Sequence, residues 1–144
     1  MILKEMLRFY YRMALNELRA MNAGDSFQGL SYNSMLYLNV ISMMDECTAS
    51  RLAKALHVSK PGVTAKINEL VKIGAVVKRQ SDDDKRVFYL HLSPRMEKSL
   101  HIYDAVFAGI EEELRLHYSS DQLGLFCEIL SAISAYDWRN AGNE

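Results

Sequence analysis

Residues 48–92 read TASRLAKALHVSKPGVTAKINELVKIGAVVKRQSDDDKRVFYLHL, and a change of rhythm inside this stretch decides the fold. Thr48 is a helix-start residue, and behind it Ala49, Leu52, Ala53 and Leu56 make a short apolar stripe that ends at His57-Val58. Ser59 then caps a further helix with the stripe Val63, Ile67, Leu70 and Val71, and Gly74 falls where a left-handed C-terminal cap is needed. Two short helices, each with a Ser/Thr cap and separated by a tight turn, form the helix-turn-helix pattern. After Gly74 the apolar period drops to two. Val76 to Gln80 predicts one strand, and Val87 to Leu92 a second, with Phe88, Leu90 and Leu92 on one face and Val87, Tyr89 and His91 on the other. Between them Ser81-Asp82-Asp83-Asp84-Lys85-Arg86 is a charged hairpin tip. A helix-turn-helix followed by such a hairpin is a winged helix.

Helices flank this module. Leu3, Met6, Leu7, Tyr10, Ala14 and Leu18 recur at helical steps, until Asn22-Ala23-Gly24-Asp25-Ser26 breaks the pattern. Ser31 caps a second helix through Met44, with Met35, Leu38 and Ile41 beside Leu36, Val40 and Met44 on a wide apolar face. Ser93-Pro94 starts a long helix carrying Leu100, Tyr103, Phe107, Ile110 and Leu114. Ser119-Ser120-Asp121-Gln122 offers a capping box for a last helix with Leu123, Phe126, Leu130 and Ile133. A narrow seam of this kind suits either a helix–helix dimer contact or an intramolecular core.

Taken together, these residues resemble the MarR family, and the resemblance covers nearly the whole chain. Asp84-Lys85-Arg86 leading through Val87–Leu92 to Ser93 is similar to that family's Asp-x-Arg wing signature. Thr48 to Thr64 is similar to its helix pair, which ends in Ser-x-x-x-Val-Thr. The resemblance implies a mainly α fold with a small β-hairpin wing. Residues 31–93 would be a winged helix-turn-helix DNA-binding domain, and 1–30 with 94–144 a helical dimerisation region. It also implies a homodimer in which the first and the last two helices interlock. Such a dimer would regulate a promoter, as a repressor at a pseudo-palindromic operator, and release DNA on binding a small-molecule effector.

Net charge is −1, which conceals an uneven distribution. Residues 51–98 hold eleven Lys and Arg against five Asp and Glu, a net of +6, while the remainder holds six against thirteen, a net of −7. A basic module between acidic flanks is the electrostatic footprint of a double-stranded DNA partner. A recognition helix reads base edges with residues near its N-terminus, here Ser59, Lys60, Gly62, Thr64 and Lys66. Lys60 can donate to guanine, and Gly62 permits close approach of the backbone. Arg86 would enter the minor groove, and Asp84, matching the family motif, would pair with it and set its direction. Lys78, Arg79 and Lys85, with Thr48 and Ser50 at a helix N-terminus, are candidates for phosphate contacts. Asp82 and Asp83 at the same tip have no such role and oppose DNA.

Other functions find less support. The densest apolar run, Met35 to Met44, is about half the span a bilayer requires, and charges interrupt the first helix, so a cytoplasmic protein without membrane contact is expected. Cys47 and Cys127 match no zinc or disulfide spacing and read as buried or half-buried thiols. Glu97 with His101, and Glu113 with His117, have a spacing that could contribute to a metal site but do not complete one, so no metal and no cofactor is expected. His57 reads as a turn residue. Tyr10, Tyr11, Met13, Tyr32, Met35 and Tyr37 could line an effector pocket, although Met and aromatic residues at helical spacing are more often core. No phosphate loop, metalloprotease helix or nucleophile elbow is present, so the chain reads as no enzyme. The rival is a winged helix that docks on another protein as an adaptor or antagonist, favoured by the aspartate run and the near-neutral total.

Overall fold

In the computed structural model, residues 1–24, 27 and 29–138 are described. The chain forms two compact units, Met1–Leu100 and His101–Glu144. Element order is α1 (Ile2–Ala23), α2 (Tyr32–Met43), α3 (Ala49–Leu56), α4 (Lys60–Lys72), β1 (Val76–Gln80), β2 (Phe88–Leu92), α5 (Pro94–His117) and α6 (Ser120–Ala135). The mainly α class with a small hairpin is therefore present. Asp25 and Ser26 of the expected break after α1 lie outside the described residues.

Caps place the helix starts. The Ser31 hydroxyl accepts from Ser34 N, Thr48 Oγ1 from Arg51 N, and Ser59 Oγ from Gly62 N, so each helix begins where a side-chain oxygen replaces a missing backbone acceptor. Ser119 and Gln122 make the reciprocal capping box of α6. Two helix ends close by the same device. At α4, Gly74 N donates to Val71 O and Ala75 N to Leu70 O, with Gly74 at φ +72°. At α3, His57 N donates to Lys54 O and Val58 N to Ala53 O, with His57 itself left-handed at φ +53°. His57 is thus a turn residue.

The core of the first unit gathers one face of each central element. Met35, Leu38 and Ile41 of α2, Leu52 and Ala53 of α3, and Val63, Ile67 and Leu70 of α4 are buried with Val76, Leu90, Leu92 and Met96. Val71 escapes this stripe and is exposed, since the buried face of α4 is centred on the other three. The antiparallel hairpin pairs Val76 with Leu92, Lys78 with Leu90 and Gln80 with Phe88. The middle of β2 is tied on its other edge, where Leu90 N donates to Cys47 O at 2.8 Å. Two further bonds tie the start of α5 to the turn that follows α4: Ser93 N to Ala75 O at 2.9 Å and Arg95 Nη2 to Ile73 O at 3.4 Å.

The strand pattern differs from expectation in two places. Val87 lies outside β2, because its N–H and C=O are used within the loop, donating to Asp84 O and accepting from Ser81 N. Phe88 shares a face with Leu90 and Leu92 but is exposed, sitting opposite Gln80 at the far end of the ladder. The outer helices bury little. Among their described residues α1 and α6 bury none, and α5 buries only Met96. Phe107 and Ile110 of α5 and Phe126, Leu130 and Ile133 of α6 are exposed, while Leu100, Tyr103, Leu114 and Leu123 of the same stripes are half-buried. Cys127 is exposed as well, contrary to the expected burial, because it lies on a helix with no buried face. Cys47 is buried; burial pushes its thiol pKa up, against the opposing effect of Arg51.

A Cβ at Gly74 would meet no atom within 4 Å, so only backbone conformation opposes a side chain there. Gly74→Ala should destabilise the chain by roughly 1–2 kcal/mol, the usual cost of a left-handed L residue. A urea unfolding midpoint lowered at constant m-value would show this, and an unchanged midpoint would contradict it.

Candidate nucleic-acid interface

Burial of Val63, Ile67 and Leu70 sets the rotation of α4 about its axis, and every other residue of the helix takes its place from that. Lys60, Thr64 and Asn68 follow one another at steps of four and are exposed, forming a single ridge along the flank nearest the hairpin. A cleft of about 480 Å³ opens beside this ridge. The N-terminus of α3 supplies Thr48 and Ser50, α4 supplies Lys60 and Thr64, and the wing supplies Lys78 and Arg86. Ile67, Phe88 and Leu90 provide apolar walls. Among the described residues lining the cleft three are cationic and none is a carboxylate. Six of the twelve residues expected to meet DNA are therefore brought together.

The other six are placed differently. Ser59 is the cap of α4, as noted. Gly62 donates its N–H to that cap, and a Cβ there would lie 3.1 Å from Ser59 Oγ. Its missing side chain thus serves the helix start, whatever it allows a ligand. Lys66 lies on the opposite flank, with its side chain 15% exposed and its ammonium paired to Glu69 at 3.1 Å. Arg79 alternates with Lys78 along β1, so the two point to opposite faces of the hairpin; Arg79 sits opposite Tyr89, away from the cleft. Lys85 is exposed at the tip, with Asp82 3.9 Å away.

Asp84 holds Arg86. Its two carboxylate oxygens accept from Nε and Nη2, both at 3.1 Å, and Oδ1 also accepts from Arg86 N at 3.0 Å. This fork leaves the guanidinium 90% exposed but limits its directions. The tip is closed beneath it. Ser81, a buried serine, accepts from Asp83 N and Asp84 N, and Gln80 Nε2 donates to Lys85 O at 2.7 Å. The aspartates therefore have local work: Asp84 orients Arg86, while the Asp83 amide helps close the turn.

Asn68 was missed by reasoning from the helix N-terminus alone. Its signal is the step of four beyond Thr64. Lys78 Nζ donates to Asn68 Oδ1 at 2.9 Å, linking the wing to the third turn of α4. The pairs considered for metal binding are engaged otherwise: His101 Nδ1 lies 2.8 Å from Asp104 Oδ2, and His117 Nδ1 lies 2.9 Å from Glu113 O. Of the residues considered for an effector pocket, Met35 is wholly core, Tyr10 and Tyr11 are exposed, and Tyr32 donates to Glu17 at 3.1 Å.

A capped helix pair, a recognition helix committed to the core on one face, and a two-stranded wing closing a basic cleft define a winged helix-turn-helix protein. The model of the MarR family matches residues 28–87. No curated protein matches the sequence. Among solved structures, FabT of Streptococcus pneumoniae in complex with DNA is similar, with 21% identity over 91% of this chain and 94% of that one, at a TM-score of 0.64. The adhesin competence repressor AdcR of Streptococcus pyogenes is 25% identical over 92% and 95%, at 0.59. Staphylococcus aureus MarR in complex with salicylate and kanamycin is 17% identical over 93% and 91%, at 0.58. Within the winged-helix class, this chain is therefore similar in fold to these MarR-type structures.

The side-chain bonds from Arg86, followed by its backbone N–H, hold the Asp84 carboxyl below the usual aspartate range. A carboxyl lowered in the folded state favours that state above its unfolded value and loses the contribution as pH falls through the lowered one. The fork should thus survive neutral and mildly acidic solution and open only in stronger acid. Carbon-detected NMR titration should place the Asp84 midpoint below that of an aspartate in a model peptide, and a midpoint at or above the peptide value would refute this.

Proposed function

We propose that the chain is a DNA-binding transcriptional regulator, a cytoplasmic homodimeric repressor acting at a pseudo-palindromic operator. The observation that carries this reading is the carboxylate-free cleft in which Lys60, Lys78 and Arg86 converge between α4 and the wing. Thr64 and Lys60 address base edges in the major groove, Arg86 the minor groove, and Thr48 and Ser50 the phosphates at the N-terminus of α3. Lys85 and Arg79, outside the cleft, add general positive potential; Ser59 and Gly62 shape the helix start. Residues 31–93 act as the DNA-binding domain.

The apolar faces of α1, α5 and α6 support dimerisation through residues 1–30 and 94–144. Ile2, Leu3 and Phe9 of α1, Phe107 of α5 and Leu125 of α6 are all at least half exposed in the single chain. Large apolar side chains left exposed on a helix face mark an interaction site. Two recognition helices related by a two-fold axis would meet successive major grooves about 34 Å apart, which is why the operator should be pseudo-palindromic. That FabT was solved on DNA, and Staphylococcus aureus MarR with salicylate and kanamycin, supports DNA as the partner and a small molecule as the releasing effector.

A mobility-shift titration with the DNA upstream of the protein's own gene, followed by selection from random duplexes, separates this reading from a protein-docking winged helix. Binding should weaken steeply with salt, by about 0.9 in log–log slope for each phosphate neutralised. Arg86→Ala should lower operator affinity by roughly tenfold or more, on the scale of a lost groove contact, and leave the dimer intact by analytical ultracentrifugation. Unchanged affinity at physiological salt would remove the wing from the interface, and no binding to any duplex would favour the adaptor.

A further inference from the structure

We propose that Asn68 is a guanine-reading residue on the third turn of α4, and that Lys78 is its positioning residue; the proposal rests on the DNA-reading function above. Asn68 completes the exposed ridge of Lys60 and Thr64, and it is the one side-chain amide on the helix. Eight residues at 1.5 Å each make this ridge about 12 Å long, the length of three to four stacked bases at 3.4 Å. Its far end therefore reaches a base that Lys60 does not.

The chemistry of the Lys78 bond then selects the base. An ammonium group only donates, so the bond at 2.9 Å requires the Asn68 carbonyl to face Lys78 and the NH2 group to face away. A free asparagine presents one acceptor and one donor side by side, the match for adenine N6–H and N7. With Oδ1 occupied, the pair offers donors: two N–H from Asn68 and the remaining two from Lys78. Guanine presents two acceptors, O6 and N7, on its major-groove edge, whereas adenine and thymine each present one and cytosine presents a donor. The pair thus fits guanine best and cytosine worst. Glu69, the neighbouring carboxylate on α4, does not compete, since it accepts from Lys66.

Lys78 has a simpler alternative as a phosphate contact, and the two roles leave different signatures. Loss of a phosphate contact weakens all sequences alike and lowers the salt slope by about one; loss of a positioning residue alters preference at one base pair. The test uses the full chain. Sites are selected from random duplexes, and affinities are then measured for all four base pairs at each position of the half-site.

The wild-type chain should show one half-site guanine favoured about tenfold or more over its replacements. Asn68→Ala should abolish preference there and preserve it elsewhere, and Lys78→Ala should relax the same position. Asn68→Asp keeps an acceptor for Lys78 but loses both amide donors, so it should disfavour guanine and raise affinity for cytosine. Asn68 and Lys78 are exposed, so thermal melts of the variants should match the wild type. Selection of the same guanine by Asn68→Ala would overturn the reading role. A uniform loss across all bases in Lys78→Ala, with the shallower salt slope, would overturn the positioning role. A wild-type chain that selects an operator but favours no guanine sensitive to Asn68 would sink this proposal alone, whereas one that binds no duplex, or binds duplexes without selecting any sequence, would sink the DNA-reading function with it.

Discussion

Val63, Ile67 and Leu70 are almost wholly withdrawn from water, and that burial holds α4 in one orientation. Three side chains at steps of four and three contribute several kcal/mol of apolar transfer between them, at about 1.5–3 kcal/mol each. Rotating the helix to show a different face would expose them. The rest of the module follows from this. Lys60, Thr64 and Asn68 are turned outward, Lys66 is turned aside to Glu69, and the helix ends at Gly74 where the chain must reverse into β1. The strand then begins with Val76 in the same core, so the wing leaves the helix end at a set angle.

The wing answers an electrostatic difficulty by local pairing. Three successive aspartates at the tip of the proposed DNA-binding wing would repel phosphate if all were free. Asp84 is committed to Arg86 through the guanidinium and the backbone N–H, and Asp82 has Lys85 nearby. Exposed pairs of this kind contribute little to stability. Their effect is directional, because a carboxylate that accepts two guanidinium N–H groups sets where the positive charge can point. The buried Ser81 hydroxyl beneath them keeps the loop closed.

Much of the fold was legible because it is written in short-range chemistry. Ser31, Thr48, Ser59 and Ser119 act on amides within three residues of themselves, so their spacing alone placed four helix starts. Val76 to Gln80 was legible as a strand from its change of period. The Asp84–Arg86 fork spans only two residues and was anticipated from the family motif. What escaped depends on neighbours distant in sequence. Lys78 and Arg79 look alike as adjacent cations, and only their pairing with Leu90 and Tyr89 separates the cleft side from the far side. Asn68 has no cap, charge or motif to mark it, and its meaning comes from Lys78, ten residues on. Apolar stripes do not say whether α5 and α6 pack inward or against a second chain, since the same period serves a core and an interface.

Gly62 and the ridge beside it bear on how such a protein could change its target. A side chain at position 62 would press on the Ser59 cap, so variation there disturbs the start of the helix itself. Lys60, Thr64 and Asn68 are exposed, and substitutions at such positions usually move stability by no more than about 0.5 kcal/mol. On the proposed reading, folding and target choice are therefore written on different sides of one 13-residue helix. Lineages descended from a duplicated copy could acquire new operators by drift along that ridge, with the hydrophobic interior left as it was.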